Sequence, residues 1–421
     1  MKNFYSKILS VVFTAASFTL AFAQYSNGYI VSHEGNFGSS NSEISYIAQN
    51  NVVTNNIYGL ANGGAAIGDV LQSLNFEGNR VFMVVNNSNK IIVANRSTFV
   101  KTTEITTEIR QPRYSTVANG KIYTTNAGSG GSGKYVSVHD ATTFAFLKKI
   151  TLTNSSEEIK TVNNKVYVMK SYFGGGNSID VIDPTTDEIV KNIILSAGLQ
   201  SIKVKDNAIF ALCSNNTGST VYKVHTSTDS VESYIANATI KNAQKFTLDN
   251  DNLYIASGLK VYSLSTDLQS FSDTALFTVP AGGGWDEFYG FAAIDGKIFQ
   301  GNAKGFVANS TLTAYNPTGT VSNTYTTTMG VNGIYKNVYD STLSTSTNSL
   351  SKISLYPNPV SEVLFIKNAE NAAYKIFDLT GKSIKQGSYK NGIAVSSMSK
   401  GIYIIQITEK GQQTTEKFII K

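Results

Sequence analysis

An all-β fold, a seven-bladed β-propeller followed by a small C-terminal β-sandwich, is what three features of this chain predict. The first is composition: 421 residues, 41% hydrophobic, only 15% charged. Charge lies well below the usual quarter of a soluble protein, and Ser, Thr, Asn and Gly replace it, as in short strands joined by tight polar turns. The second is a repeat, and the third is a complementary segment near residue 335 that closes it.

The repeat is a turn followed by an apolar-aromatic-apolar triplet: Asn79-Arg80-Val81-Phe82-Met83, Gly120-Lys121-Ile122-Tyr123-Thr124, Asn164-Lys165-Val166-Tyr167-Val168, Asn207-Ala208-Ile209-Phe210-Ala211, Asn252-Leu253-Tyr254-Ile255 and Gly296-Lys297-Ile298-Phe299-Gln300. The aromatic positions 82, 123, 167, 210, 254 and 299 are spaced 41 to 45 apart. Asn27-Gly28-Tyr29-Ile30-Val31 is a seventh, divergent copy. Each copy carries four short strands, the spacing of propeller blades, which hide their sheet edges by closing into a ring. Gly330-Val331-Asn332-Gly333-Ile334-Tyr335-Lys336 reads as the missing inner strand of the first blade, whose other strands lie at 27–60.

The chain divides into a signal peptide at 1–23, the propeller at 24–340, a Ser/Thr linker at 341–351 and a C-terminal domain at 352–421. Residues 1–23 follow the secretory pattern: Lys2 and Lys7, an apolar stretch, then Ala21-Phe22-Ala23 before Gln24. The apolar stretch is too short and too interrupted for a transmembrane anchor. The net charge of +6 comes from the two ends, because residues 24–340 carry 23 basic and 24 acidic residues. A nucleic-acid partner is therefore not expected. Cys213 is the single cysteine, so no intramolecular disulfide forms, and its apolar run predicts a buried strand thiol.

Loop lengths predict one working face. The turns between first and second strands are minimal, whereas long loops at 32–38, 62–73, 86–89, 111–114, 126–133, 154–158, 171–174 and 280–289 all open on the opposite side. Loops on a rigid scaffold carry function. The expected ligand-binding residues are Asn36, Phe37, Gln72, Asn87, Arg113, Tyr114, Tyr172, Phe173 and Trp285, a set of amides, aromatics and one Arg suited to a large polar ligand. An Arg in a crossover has no evident fold reason.

No catalytic or metal set assembles, and no cofactor is expected. His139 and His225 fall at strand ends as turn caps, and a lone His33 is no metal site. Asp140 and Asp183 precede Thr pairs as in Asx turns. The Gly runs lack a following Lys-Thr or helix. The expectation is a non-catalytic binding protein, with a propeller enzyme such as a lactonase or quinoprotein as a further class.

Two resemblances add to this reading. Leu355-Tyr356-Pro357-Asn358-Pro359, Tyr374-Lys375-Ile376-Phe377-Asp378-Leu379-Thr380-Gly381-Lys382 and Gly401-Ile402-Tyr403-Ile404-Ile405-Gln406-Ile407 resemble, in order and position, the type A sorting domain of bacterial type IX secretion. That resemblance implies recognition by the secretion machinery and release or surface attachment. Glu34-Gly35-Asn36-Phe37-Gly38, Asn41-Ser42-Glu43-Ile44-Ser45-Tyr46, Gly68-Asp69 with Gln72-Ser73, Val84-Val85-Asn86-Asn87-Ser88-Asn89-Lys90-Ile91 and Pro112-Arg113-Tyr114 resemble bacterial surface propellers of the YVTN/YncE-like, DUF5074 type. That family includes vitamin B12-capturing proteins paired with TonB-dependent transporters, which implies a corrinoid ligand and a transporter partner. Those capture proteins are lipoproteins, and this chain has no lipid cysteine. An adhesin or a scaffold for proteins or glycans on the same face is the alternative.

Overall fold

The computed structural model describes residues 25–128, 134–282, 286–338, 354–367, 372–378, 382–409 and 412–421. The expected signal peptide and the Ser/Thr linker lie outside the described residues, as does Trp285. The chain forms two compact units, residues 1–341 and 342–421.

Among the described residues, the first unit holds seven four-stranded antiparallel sheets. Blade 1 combines Val331–Asn337 with Gly28–His33, Glu43–Ile47 and Val53–Thr54. Its register pairs Ile30 with Tyr335 and Val31 with Ile334, so the two ends of the unit are sealed into one sheet. The inner strands of blades 2 to 7 are Leu71–Glu77, Pro112–Ala118, Ile159–Val162, Leu199–Lys205, Lys245–Asp249 and Gly290–Ile294. Each packs beside the next. Ser73 Oγ donates to the Arg113 carbonyl at 2.8 Å, Thr116 and Thr161 share a hydroxyl bond at 2.9 Å, and Ala293 N donates to Thr247 Oγ1 at 2.9 Å. Tyr335 Oη accepts from Leu74 N at 3.1 Å and closes the ring between blades 1 and 2. Where blade 7 meets the closing strand, a Cβ on Gly301 would lie 2.8 Å from Val331 Cγ1, so only glycine admits that approach.

The repeated triplet explains itself in the packing. Phe82, Tyr123, Tyr167, Phe210 and Phe299 are fully buried between blades, where a large ring removes the most apolar surface from water. Two of the tyrosines also latch one blade to a later turn. Tyr167 Oη donates to Asp229 Oδ1 at 2.6 Å while Lys165 pairs with the same carboxylate, and Tyr123 with Lys121 repeats the arrangement on Asp187. The outer strands, such as Glu188–Ile194, are mostly exposed.

Several local expectations hold. Cys213 is buried, and burial pushes its thiol up to about 11. Asp140 accepts from the Thr142 and Thr143 amides, and Asp183 from Thr185, as Asx turns do. His225 Nδ1 bonds Ser227 Oγ of its own turn at 2.8 Å, whereas His139 does not cap its turn: it is buried, and its Nε2 bonds the Thr107 carbonyl, 32 positions earlier, at 2.8 Å. His33 differs: it is fully buried, with Nε2 3.0 Å from Ser45 Oγ, and not displayed on a loop.

The second unit stacks a three-stranded sheet (Ser354–Tyr356, Val363–Lys367, Ile393–Ala394) and a four-stranded sheet (Ser383–Ser388, Ala373–Phe377, Gly401–Glu409, Gln412–Ile420). Between them lies a core of Val360, Leu364, Ile376, Ile405, Ile407 and Phe418.

Candidate functional site

Every inner strand of the propeller begins at the same end of the ring, and the long loops open there. They enclose a cavity of about 1030 Å³. Its floor is made by residues at or just before the starts of inner strands: Gln72, Arg113, Tyr114, Glu157, Glu158, Gln200, Lys245 and Asn332. Its rim is aromatic, with Phe37 77% exposed and Phe173 79% exposed, and with Tyr172 beside Phe173 at 4.3 Å between ring centroids.

Of the residues expected to bind ligand, Asn36, Phe37, Gln72, Arg113, Tyr114, Tyr172 and Phe173 line this cavity. Asn87 does not. Its side-chain amide turns onto Asp69 Oδ2, and the Asn87 backbone N donates to the Asp69 carbonyl, so it serves the 86–89 hairpin while Asn86 reaches the cavity.

Arg113 overturns a second expectation, because it has a structural reason to be there. Pro112–Ala118 is already the inner strand of blade 3, with a bulge between Pro112 and Ser115 that sets Arg113 and Tyr114 at the cavity. Arg113 Nε and Nη2 donate to the two oxygens of Glu157 at 2.9 and 2.8 Å. The guanidinium also stacks against Tyr172 and Phe173, 5.4 and 5.7 Å from their centroids. Burial opposes its charge, but Glu157 outweighs burial and holds its pKa above the ordinary arginine value. Two of its donor positions are therefore taken, and the residue braces the aromatic rim.

The floor also carries charge that the amide-and-aromatic expectation missed. Glu158 Oε1 accepts from Ser201 Oγ, and Lys203 Nζ donates to both Glu158 oxygens at 3.0 and 3.1 Å. Burial works to raise the Glu158 pKa, yet Lys203 and Lys160 override it and hold the carboxyl low. Glu34 accepts from Tyr289 Oη at 2.7 Å and from Asn332 Nδ2 at 3.1 Å. Burial dominates there and raises its carboxyl. Lys245 Nζ donates to the Tyr289 carbonyl at 2.7 Å, and burial pushes the ammonium down to about 8. A signal for this floor exists in the sequence: Glu157-Glu158 and Lys245 stand directly at the starts of inner strands in a chain that otherwise spares charge.

Comparison with known proteins agrees with the architecture. No curated protein matches the chain. Among solved structures, a functionally unknown protein from Desulfotomaculum acetoxidans is similar with a TM-score of 0.57 and 11% identity, covering 75% of this chain and 100% of its own. A quinonprotein alcohol dehydrogenase-like protein from Bacteroides thetaiotaomicron gives 0.56 and 11%, covering 74% and 79%. A protein from Lactobacillus plantarum gives 0.54 and 13%, covering 73% and 98%. At these identities the likeness is one of β-propeller fold alone. The model of the secretion system C-terminal sorting domain matches residues 354–421, which marks the chain for type IX export to the cell surface or beyond. The model of the domain of unknown function DUF5074 matches residues 27–295, more than half of the chain, and the protein belongs to that family.

Proposed function

We propose that this protein is a non-catalytic binding propeller, exported by type IX secretion, that takes one large polar ligand into the cavity at the long-loop end. A corrinoid is the best single candidate. The observation that carries the reading is the cavity itself: about 1030 Å³, open to solvent, with aromatic rings at the rim and amides on the floor and walls. Such a site fits a ligand with a broad face to stack on Phe37, Tyr172 and Phe173, and with side groups to hydrogen-bond Gln72, Gln200 and Gln244. A corrinoid has that form, a flat macrocycle fringed with primary amides. The resemblance of residues 28–125 to surface propellers that capture vitamin B12 favours the same class, and a TonB-dependent transporter is then the partner to which the cargo passes.

A second reading draws on the exposure of Phe37 and Phe173. Exposed rings beside a groove also serve recognition of glycans or protein loops, so the same face can act as an adhesin. Passing cyanocobalamin over immobilised mature protein, alongside a glycan array probed with the same preparation, separates the two. Retained red corrinoid supports capture. Glycan or protein binding that Tyr172→Ala abolishes, with no corrinoid retained, supports the adhesin.

A further inference from the structure

Two carboxylates on the cavity floor, Glu157 and Glu158, are paired with cations, and a third, Glu34, is held by neutral donors. Glu157 is held by Arg113, Glu158 by Lys203 and Ser201 with Lys160 at 3.4 Å, and Glu34 by the Tyr289 hydroxyl and the Asn332 amide. Glu287, on the cavity wall, turns one oxygen to Asn302 Nδ2, and among the described residues its other oxygen has no hydrogen-bond partner. Among the cations that line or brace this floor, Arg113, Lys160 and Lys203 each have a carboxylate, and Lys245 differs. Among the described residues its ammonium has no carboxylate at ion-pairing distance, and its hydrogen-bond partner is the main-chain carbonyl of Tyr289, with that residue's ring 5.2 Å away. An ammonium carries three N–H donors, so two remain for the cavity that Lys245 lines.

Lys245 is half-buried, and a charge with restricted access to water and no counter-ion at close range is costly. Its bond to the Tyr289 carbonyl ties blade 6 to blade 7, but Thr247 and Ala293 make a second tie between the same strands, and a neutral donor would serve the carbonyl as well. Of the charges that act on it, Glu34, Glu158 and Glu157 favour the ammonium and Lys203 opposes it, yet burial outweighs them all. An anion seated beside the ammonium is what restores the lost solvation.

We propose that Lys245 is the seat of an anionic group, a phosphate or a carboxylate, on the ligand that the cavity holds. This rests on the reading that the cavity binds a ligand, but not on that ligand being a corrinoid. Binding at the seat weakens as pH rises through about 8, where the ammonium loses its proton, and an occupied seat shifts that titration to higher pH.

The test is nuclear magnetic resonance of the mature protein with its lysine side chains labelled, the Lys245 signal being assigned by its loss in Lys245→Arg. Inorganic phosphate and acetate are titrated in separate arms to distinguish the two anion classes. The expected result is a saturable shift of the Lys245 signal with at least one anion, larger than that of half-exposed Lys148 on an outer strand, and a Lys245 titration midpoint raised by about one pH unit. Lys245→Met weakens the binding of that anion about tenfold and Lys245→Arg restores most of it. A Lys245 signal that moves no more than that of Lys148 in both arms, at an unchanged midpoint, overturns the proposal. Because it is read on the folded wild type, that result stands even if Lys245→Met folds poorly. A seated anion in a protein that ignores cyanocobalamin refutes the corrinoid and leaves this seat intact.

Discussion

The guanidinium of Arg113 meets the carboxylate of Glu157 in a two-point clasp, Nε to Oε2 at 2.9 Å and Nη2 to Oε1 at 2.8 Å, that ties blade 3 to the start of blade 4. Both side chains are about 11% exposed, so neither partner keeps much water if the other is lost.

Breaking this clasp from one side is therefore costly. Glu157→Gln leaves a buried guanidinium without its counter-charge and is expected to lower stability by about 3 kcal/mol, in the range for one-sided loss of a buried pair. The double change Arg113→Met with Glu157→Gln is expected to cost less than the sum of the two single changes. Denaturant unfolding of the four proteins measures that coupling. Additive effects contradict a direct pair.

Acid sensitivity should trace in part to His33. Burial lowers its pKa from 6.5 to about 3. Between those values the unfolded chain binds a proton that the folded chain does not, so folding loses stability as pH falls from 6.5 toward about 3 and is unaffected by this residue above 6.5. Thermal unfolding of the wild type and His33→Gln across this window is the check. The wild type is expected to lose more stability than the variant as the solution is acidified, and parallel curves contradict the assignment.

Export depends on the second unit. A chain ending at residue 340 lacks all of the matched sorting domain, 354–421. It is expected to accumulate inside the outer membrane, while the full chain reaches the surface or medium. Cell fractionation followed by immunoblotting reads this directly, and equal surface delivery of both chains contradicts it.

The ring was legible in the sequence because closure imposes a repeat. One aromatic per blade must fill each wedge between sheets, so Phe82, Tyr123, Tyr167, Phe210 and Phe299 recur at blade spacing and all are buried. Closure also needs a strand to complement the first blade, and Val331–Asn337 pairs with Gly28–His33 as its pattern requires. The face was legible from loop length alone, and seven of the nine expected residues line the cavity.

What was not legible is partnership across blades. Asn87 and Asn86 are neighbours of one type, and only the hairpin geometry sends one to Asp69 and the other to the cavity. Glu157 lies 44 positions from Arg113, one blade further on, so neither residue announces the other locally. The same separation hid Lys203 from Glu158 and Lys245 from Tyr289. In each pair a charged side chain on one inner strand meets its partner one blade away.

Calorimetric titration of cyanocobalamin into the mature protein tests the central claim most directly, with a Tyr172→Ala, Phe173→Ala protein beside it. The account predicts one saturable site with a dissociation constant of about 1 μM or tighter, and at least about tenfold weaker binding once the two rings are removed from the rim. No heat and no retention of the corrinoid at concentrations well above that, in a protein whose unfolding shows it intact, would contradict it.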